Sequence, residues 1–173
     1  MILTRNDSLV IVVDMQVRLM PAILEGAGVR AAASRLVRGA ARLGVPVLAL
    51  EHCAGAIGPL CPELALPADA TILAKRSFAA ALPPLDRRQI VLCGVETHVC
   101  LLQTALGLLP RGHRLHVAVD ASGSRRASDR DAALRRMEHA GILPVSVEMA
   151  LFEWLGHADD PAFRDILAIV KEA

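Results

Sequence analysis

The stretch Gln89-Ile90-Val91-Leu92-Cys93-Gly94-Val95-Glu96-Thr97-His98-Val99-Cys100 decides the fold. Its first half is a continuous apolar run, the pattern of a strand buried on both faces rather than one that alternates between core and water. The run breaks at Gly94, and residues 100–109 carry spaced leucines and an alanine suited to a helix. A strand-to-helix crossover of this kind places Cys100 in the first helical turn. There, unpaired backbone N–H groups and the positive end of the helix dipole favour thiolate over thiol. Cysteine is also among the most buried residue types, so position alone leaves a structural Cys100 open beside a reactive one.

Outward from this stretch the same alternation repeats. Residues 8–14 read as a buried strand ending on the carboxylate of Asp14. An acid at the carboxyl end of a parallel strand sits where open α/β sheets place their sites, although a cap is an equally ordinary role. A helix over 29–43 ends at Gly44, a second strand covers 45–50, and residues 51–67 form a Gly/Pro-containing loop long enough to wall a pocket. A short strand at 71–74 is followed by Lys75. Beyond the central helix come a strand over 113–119, a helix over 128–140, a strand over 143–147 and two short helical segments at 149–155 and 161–170. Strand–helix alternation predicts an α/β fold, a three-layer α/β/α arrangement around a parallel sheet of six strands, as one domain over 1–173. The first β-to-α turn, Asp14-Met15-Gln16-Val17-Arg18, lacks G-x-G-x-x-G, and no G-x-x-x-x-G-K-[ST] occurs, which removes dinucleotide and nucleoside-triphosphate readings.

Composition excludes further classes. Nineteen basic against eighteen acidic residues leave a formal charge of +1, without the clustered basic excess of a nucleic-acid footprint. No apolar run reaches the roughly 18–20 residues of a membrane span, and the N-terminal residues lack a secretory signal's pattern. The four cysteines, Cys53, Cys61, Cys93 and Cys100, show neither a C-x-x-C pair nor zinc-ligand spacing. A cytoplasmic protein is expected, with Cys53, Cys61 and Cys93 structural. The hydrophobic content of 54% exceeds the roughly 45–50% of soluble domains and points to a homo-oligomer, with the C-terminal segments around Phe152 and Trp154 packing on a helix or a subunit interface. His113 and His116, with Arg114 between them, read as a solvated edge.

In a parallel sheet Asp14, Lys75 and Cys100 all lie at strand carboxyl ends and can converge as a base, a cation and a nucleophile. Over essentially its whole length the chain resembles the isochorismatase-like cysteine hydrolases, which include nicotinamidases. The resemblance rests on Val12-Val13-Asp14-Met15-Gln16, on Ala74-Lys75-Arg76-Ser77-Phe78 and, most specifically, on Gly94-Val95-Glu96-Thr97-His98-Val99-Cys100. Asp120-Ala121-Ser122-Gly123-Ser124-Arg125 and Glu148-Met149-Ala150-Leu151-Phe152 add to it. Glu96-Thr97-His98, with Gly58-Pro59 and Pro62-Glu63-Leu64, is most similar to the isochorismatase domain-containing branch.

The resemblance implies an Asp14–Lys75–Cys100 triad, with Cys100 as nucleophile, Asp14 as general base and Lys75 holding the carboxylate and favouring the thiolate. It also implies a cis peptide between Val95 and Glu96, whose N–H pairs with that of Cys100 as an oxyanion hole; Gln16 and Phe78 are expected in the pocket wall, and His52, which departs from the family's usual residue there, either lines the same pocket or caps the strand. Relatives that cleave a vinyl ether can lack the cysteine, so Cys100 tilts the expected substrate toward small amides, hydrolysed through a thioester. A non-catalytic scaffold or redox-sensing protein on the same fold, and an acyl-transferring enzyme, are the competing readings. Nicotinamidases carry a metal on an Asp-x-His after the second strand. Here Glu51-His52-Cys53 stands in that place, so neither a metal nor another cofactor is expected.

Overall fold

A computed structural model describes residues 2–172. Six strands form one parallel sheet: β1 (Ser8–Val13), β2 (Val47–His52), β3 (Thr71–Lys75), β4 (Gln89–Val95), β5 (Arg114–Gly123) and β6 (Leu143–Val145). Their spatial order is β3-β2-β1-β4-β5-β6. The chain moves outward on one side through β2 and β3, then returns to pair β4 with β1, so the winding direction reverses between the two central strands. A crevice opens at such a reversal, because successive crossovers leave in opposite directions.

The apolar runs arise from two cores, one on each face. Along β1, Val10 and Val12 enter one cluster, while Leu9, Ile11 and Val13 enter the other. Successive side chains point to opposite faces, so a strand covered on both must be apolar at every position. The first face is covered by α1 (Gly26–Arg42), α5 (Val147–Leu155) and α6 (Phe163–Val170), and the second by α3 (Leu102–Leu108) and α4 (Ala127–His139). α1 buries Val29, Ala32, Ala33, Leu36, Val37 and Ala40, the spacing of a single helical stripe.

Gly94 is required where it stands. Its φ is 125°, and a Cβ there would lie 2.1 Å from the Val13 carbonyl oxygen on β1. Directly beyond Leu92 the register of β4 against β5 also shifts. The break in the apolar run is thus a close backbone approach next to the site, made possible by the missing side chain.

Several expectations are corrected. The second strand runs on to His52, because Glu51 and His52 pair with Ala74 and Lys75 of β3. The 51–67 loop contains a one-turn helix, α2 (Ala54–Ile57), and a 3-10 turn (Pro62–Leu64). Helical structure after β4 starts at Thr97 with a wide π turn, Thr97–Leu101, so Cys100 lies inside that turn and α3 follows it. His116 is only 3% exposed, since β6 pairs on the outer side of β5 and removes the edge expected there. The C-terminal surplus of apolar residues is largely consumed internally: Leu151, Trp154, Leu155, Ile166 and Ile169 are buried, and the Trp154 indole donates to Ser8 Oγ at 2.8 Å. Large apolar side chains are exposed at scattered positions, among them Ile2, Leu24, Leu143 and Met149, and at Ile72 on edge strand β3 and Phe78 just beyond it. Among the described residues no helix is long and apolar enough to cross a membrane.

Candidate active site

Three strand ends deliver the expected residues to one place. Asp14 follows β1 with φ 51°, a left-handed turn that Asp tolerates better than most residues, and its N–H donates to the Leu50 carbonyl on β2. Lys75 closes β3, two strands away. Neighbouring strands lie about 4.8 Å apart, so roughly 10 Å separates the two strand ends. Only a long side chain covers that gap, and Lys75 Nζ reaches Asp14 Oδ2 at 2.6 Å. The ammonium also donates to the carbonyls of Ser77 at 3.2 Å and Phe78 at 3.3 Å. On the way it passes over the end of β2, where His52 Nδ1 lies 3.5 Å from it.

Cys100 enters from the turn after β4 and lies close enough to Asp14 and Lys75 for both to act on its protonation. Ligand atoms of Asp14, His52 and Cys100 all lie within 4.8 Å of one another. Asp14 is completely buried, and its Oδ1 has no hydrogen-bond partner. One carboxylate oxygen is therefore held by the lysine, and the other is unpaired on a side chain clustered with His52 and Cys100.

The electrostatics correct the thiolate expectation. Burial, and then the hydrogen bond and negative charge of Asp14, push the Cys100 thiol up to about 12, and Lys75 opposes this only in part. Burial likewise raises Asp14, against the lowering effects of Lys75 and the thiol. These effects favour the neutral thiol over the thiolate beside the lysine-paired carboxylate.

The cysteine turn is pinned to the end of β5. The Val95–Glu96 peptide is cis. The Glu96 carboxylate accepts from the Arg125 backbone N–H at 3.3 Å and its Nε at 2.9 Å, Thr97 Oγ1 donates to the Gly123 carbonyl at 2.9 Å, and His98 Nδ1 pairs with Ser124 Oγ at 3.0 Å. Sequence reasoning gave Thr97, His98, Ser124 and Arg125 no part in the site. Their only signal was membership in the two motifs that bracket this contact.

Gln16, expected in the pocket wall, is fully buried. Its amide donates to the carbonyls of His52 and Gly58, and its oxygen accepts from the His52 N–H at 2.8 Å. It positions His52 and the following loop, and has no surface to offer a ligand. His52 and Phe78 do stack, with ring centroids 5.6 Å apart, and Phe78 is 53% exposed. Glu51 accepts from the Leu60 N–H at 2.9 Å, so it braces the loop. A cleft of about 510 Å³ lined by Cys53, Ala54–Ala56, Ala74, Lys75 and Arg76 borders the site at the ends of β2 and β3 without including Asp14 or Cys100.

With this geometry in view, the profile of the Isochorismatase domain matches residues 8–149. The chain is 38% identical to isochorismatase domain-containing protein 2 of Rattus norvegicus over 175 residues, covering 96% of this chain and 82% of the relative. A solved structure described as the MAR1 ribonuclease of Caenorhabditis elegans superposes with a TM-score of 0.95 at 29% identity, covering 100% of this chain and 94% of that one. An octameric hydrolase of unknown specificity from Escherichia coli shares the fold, with a TM-score of 0.82, 24% identity and coverage of 98% and 87%. The profile match takes in β1, β3 and β4 together with the residues that converge at their ends, and the chain belongs to the isochorismatase family of hydrolases.

Proposed function

We propose that the protein is a cysteine-dependent hydrolase that cleaves the C–N bond of a small amide-type substrate through a thioester. One observation carries the reading: the buried Asp14 carboxylate gives one oxygen to Lys75 at 2.6 Å and leaves the other without a partner beside the Cys100 thiol. In this reading the sulfur attacks the carbonyl carbon as its proton passes to Asp14 Oδ1, which removes the need for a standing thiolate. The N–H groups of Glu96 and Cys100 receive the developing oxyanion, a contact worth roughly 3–4 kcal/mol per donor in such sites. Asp14 then protonates the departing nitrogen and the C–N bond breaks. Water, deprotonated by the same carboxylate, opens the thioester, and the proton returns to sulfur. Lys75 keeps Asp14 ionised between proton transfers. Gln16 sets His52, and the His52–Phe78 stack forms the exposed wall against which a small substrate lies.

Substrates with a carbonyl bonded to nitrogen suit this machinery, because the leaving group needs the proton that the thiol supplies. The ribonuclease name of the Caenorhabditis elegans relative describes another chemistry. A formal charge of +1 gives little footing for a polyanion here. Free cysteines throughout fit a reducing, cytoplasmic setting. The exposed Ile72 and Phe78 beside the mouth suit a homo-oligomer in which a second copy covers this rim. A panel of amides, carbamates and ureides assayed for ammonia release tests the proposal, with Cys100→Ala as control. Release by the wild-type protein that disappears in the variant is expected. Equal release by both removes the thioester route.

A further inference from the structure

We propose that Asp14, His52 and Cys100 also form a reversible zinc-binding site, in which one Zn²⁺ is held by the Cys100 sulfur, a ring nitrogen of His52 and Oδ1 of Asp14. The three ligand atoms come from separate strand ends and lie within 4.8 Å of one another. Tetrahedral zinc with bonds of about 2.0–2.3 Å spaces its ligand atoms at roughly 3.3–3.8 Å. Closing the remaining gap takes a shift of about 1 Å, which a rotation of the half-buried His52 ring at the end of β2 supplies while its backbone stays held by Gln16. A second observation points the same way. Asp14 Oδ1 is a fully buried carboxylate oxygen without a hydrogen-bond partner, carried by a side chain whose carboxylate lies in this cluster. A thiolate, an imidazole and a carboxylate are the donor set of zinc rather than of magnesium or calcium, and three protein ligands leave a fourth position for water.

The opposing group is Lys75. Its ammonium lies 2.6 Å from Asp14 Oδ2 and 3.5 Å from His52 Nδ1. It is anchored by Oδ2 and by the carbonyls of Ser77 and Phe78, so Oδ1 stays clear for the metal. Its positive charge repels the cation without blocking it. The site therefore suits reversible occupancy by zinc in place of a resident cofactor. Binding exchanges the thiol proton for the metal, with that proton passing to solvent. Occupancy by zinc would disable both the nucleophile and its base. That inhibitory consequence rests on the hydrolase reading above, whereas the binding itself does not.

The test is titration of the resting, metal-stripped protein with ZnCl₂ in competition with a chromophoric chelator, which involves no turnover. One zinc per chain is expected. Binding should be lost in Cys100→Ser and in His52→Ala, and tightened about tenfold or more in Lys75→Met, where the like charge is gone. Circular dichroism establishes that the variants are folded. Independently of any variant, one equivalent of Co²⁺ on the wild-type protein should give the near-ultraviolet sulfur-to-cobalt charge-transfer band. Failure of the wild-type protein to compete with the chelator overturns the site, as does undiminished binding by Cys100→Ser and His52→Ala, or one-to-one cobalt binding without the sulfur band. Should no substrate release ammonia, the chelator titration still decides the zinc site. Where ammonia release is found, zinc should abolish it at the concentration that fills the site, and chelator should restore it.

Discussion

Replacing Asp14 by Asn separates two ways in which a cysteine hydrolase can be primed. In the wild-type site the Cys100 thiol is held up to about 12 by burial and by the Asp14 carboxylate. The sulfur and the nearest carboxylate oxygen lie within 4.8 Å. At an effective dielectric constant of about 20, a negative charge at that separation opposes the thiolate by about 3.5 kcal/mol, equivalent to about 2.5 pH units. Asp14→Asn removes this opposition and leaves Lys75 as the charged neighbour, so the thiol becomes more acidic while losing its proton acceptor. Near pH 8 the thiolate population rises by about two orders of magnitude, and its lower intrinsic nucleophilicity takes back about one of them. Alkylation of Cys100 by iodoacetamide, followed by mass spectrometry of the peptide, should therefore be about twenty-fold faster in Asp14→Asn. Ammonia release by the same variant should vanish. Lys75→Met should move alkylation the opposite way, since it removes the one charge that favours thiolate. If Asp14→Asn alkylates no faster than wild type, or Lys75→Met alkylates faster, the assignment of the raised thiol to Asp14 is wrong.

The pH dependence of hydrolysis follows from the carboxylate. Asp14 must be ionised to accept the proton and burial raises it, so activity falls as pH drops through a value above the ordinary carboxylate range of about 3.9; an acid limb at or below about 4 in the rate profile contradicts this. Gly94→Ala drives a Cβ to 2.1 Å from a β1 carbonyl at φ 125° and should cost about 3 kcal/mol or more in chemical denaturation, so a stability equal to wild type would show that the β1–β4 approach is not as tight as described. Light scattering at micromolar concentration should give a multiple of 18.4 kDa that Ile72→Asp reduces toward the single-chain mass; a concentration-independent 18.4 kDa for wild type ends the oligomer proposal. Chelator treatment should leave hydrolysis intact, measured as ammonia release before and after, because no step of the proposed cycle passes through a metal.

Much of this protein is legible along the chain. Apolar runs at Leu9–Val13 and Ile90–Val95 can only be strands covered on both faces, and their alternation with helical stripes dictates a parallel sheet. Asp14, Lys75 and Cys100 follow, since each lies where a strand ends and the carboxyl ends of parallel strands share one edge. Strand order, however, is not a local property. Only pairing of β1 with both β2 and β4 brings Asp14 between Lys75 and Cys100, and only the extension of β2 to His52 inserts an imidazole among them. The burial of Gln16 and His116 likewise depends on elements distant in sequence, the 51–67 loop and β6. The protonation state was the least readable feature. A helix-terminus argument from sequence favours thiolate, but the tertiary structure encloses the sulfur and sets a carboxylate against it. Desolvation and a nearby negative charge, both products of the fold, outweigh the local dipole and favour the thiol form of Cys100.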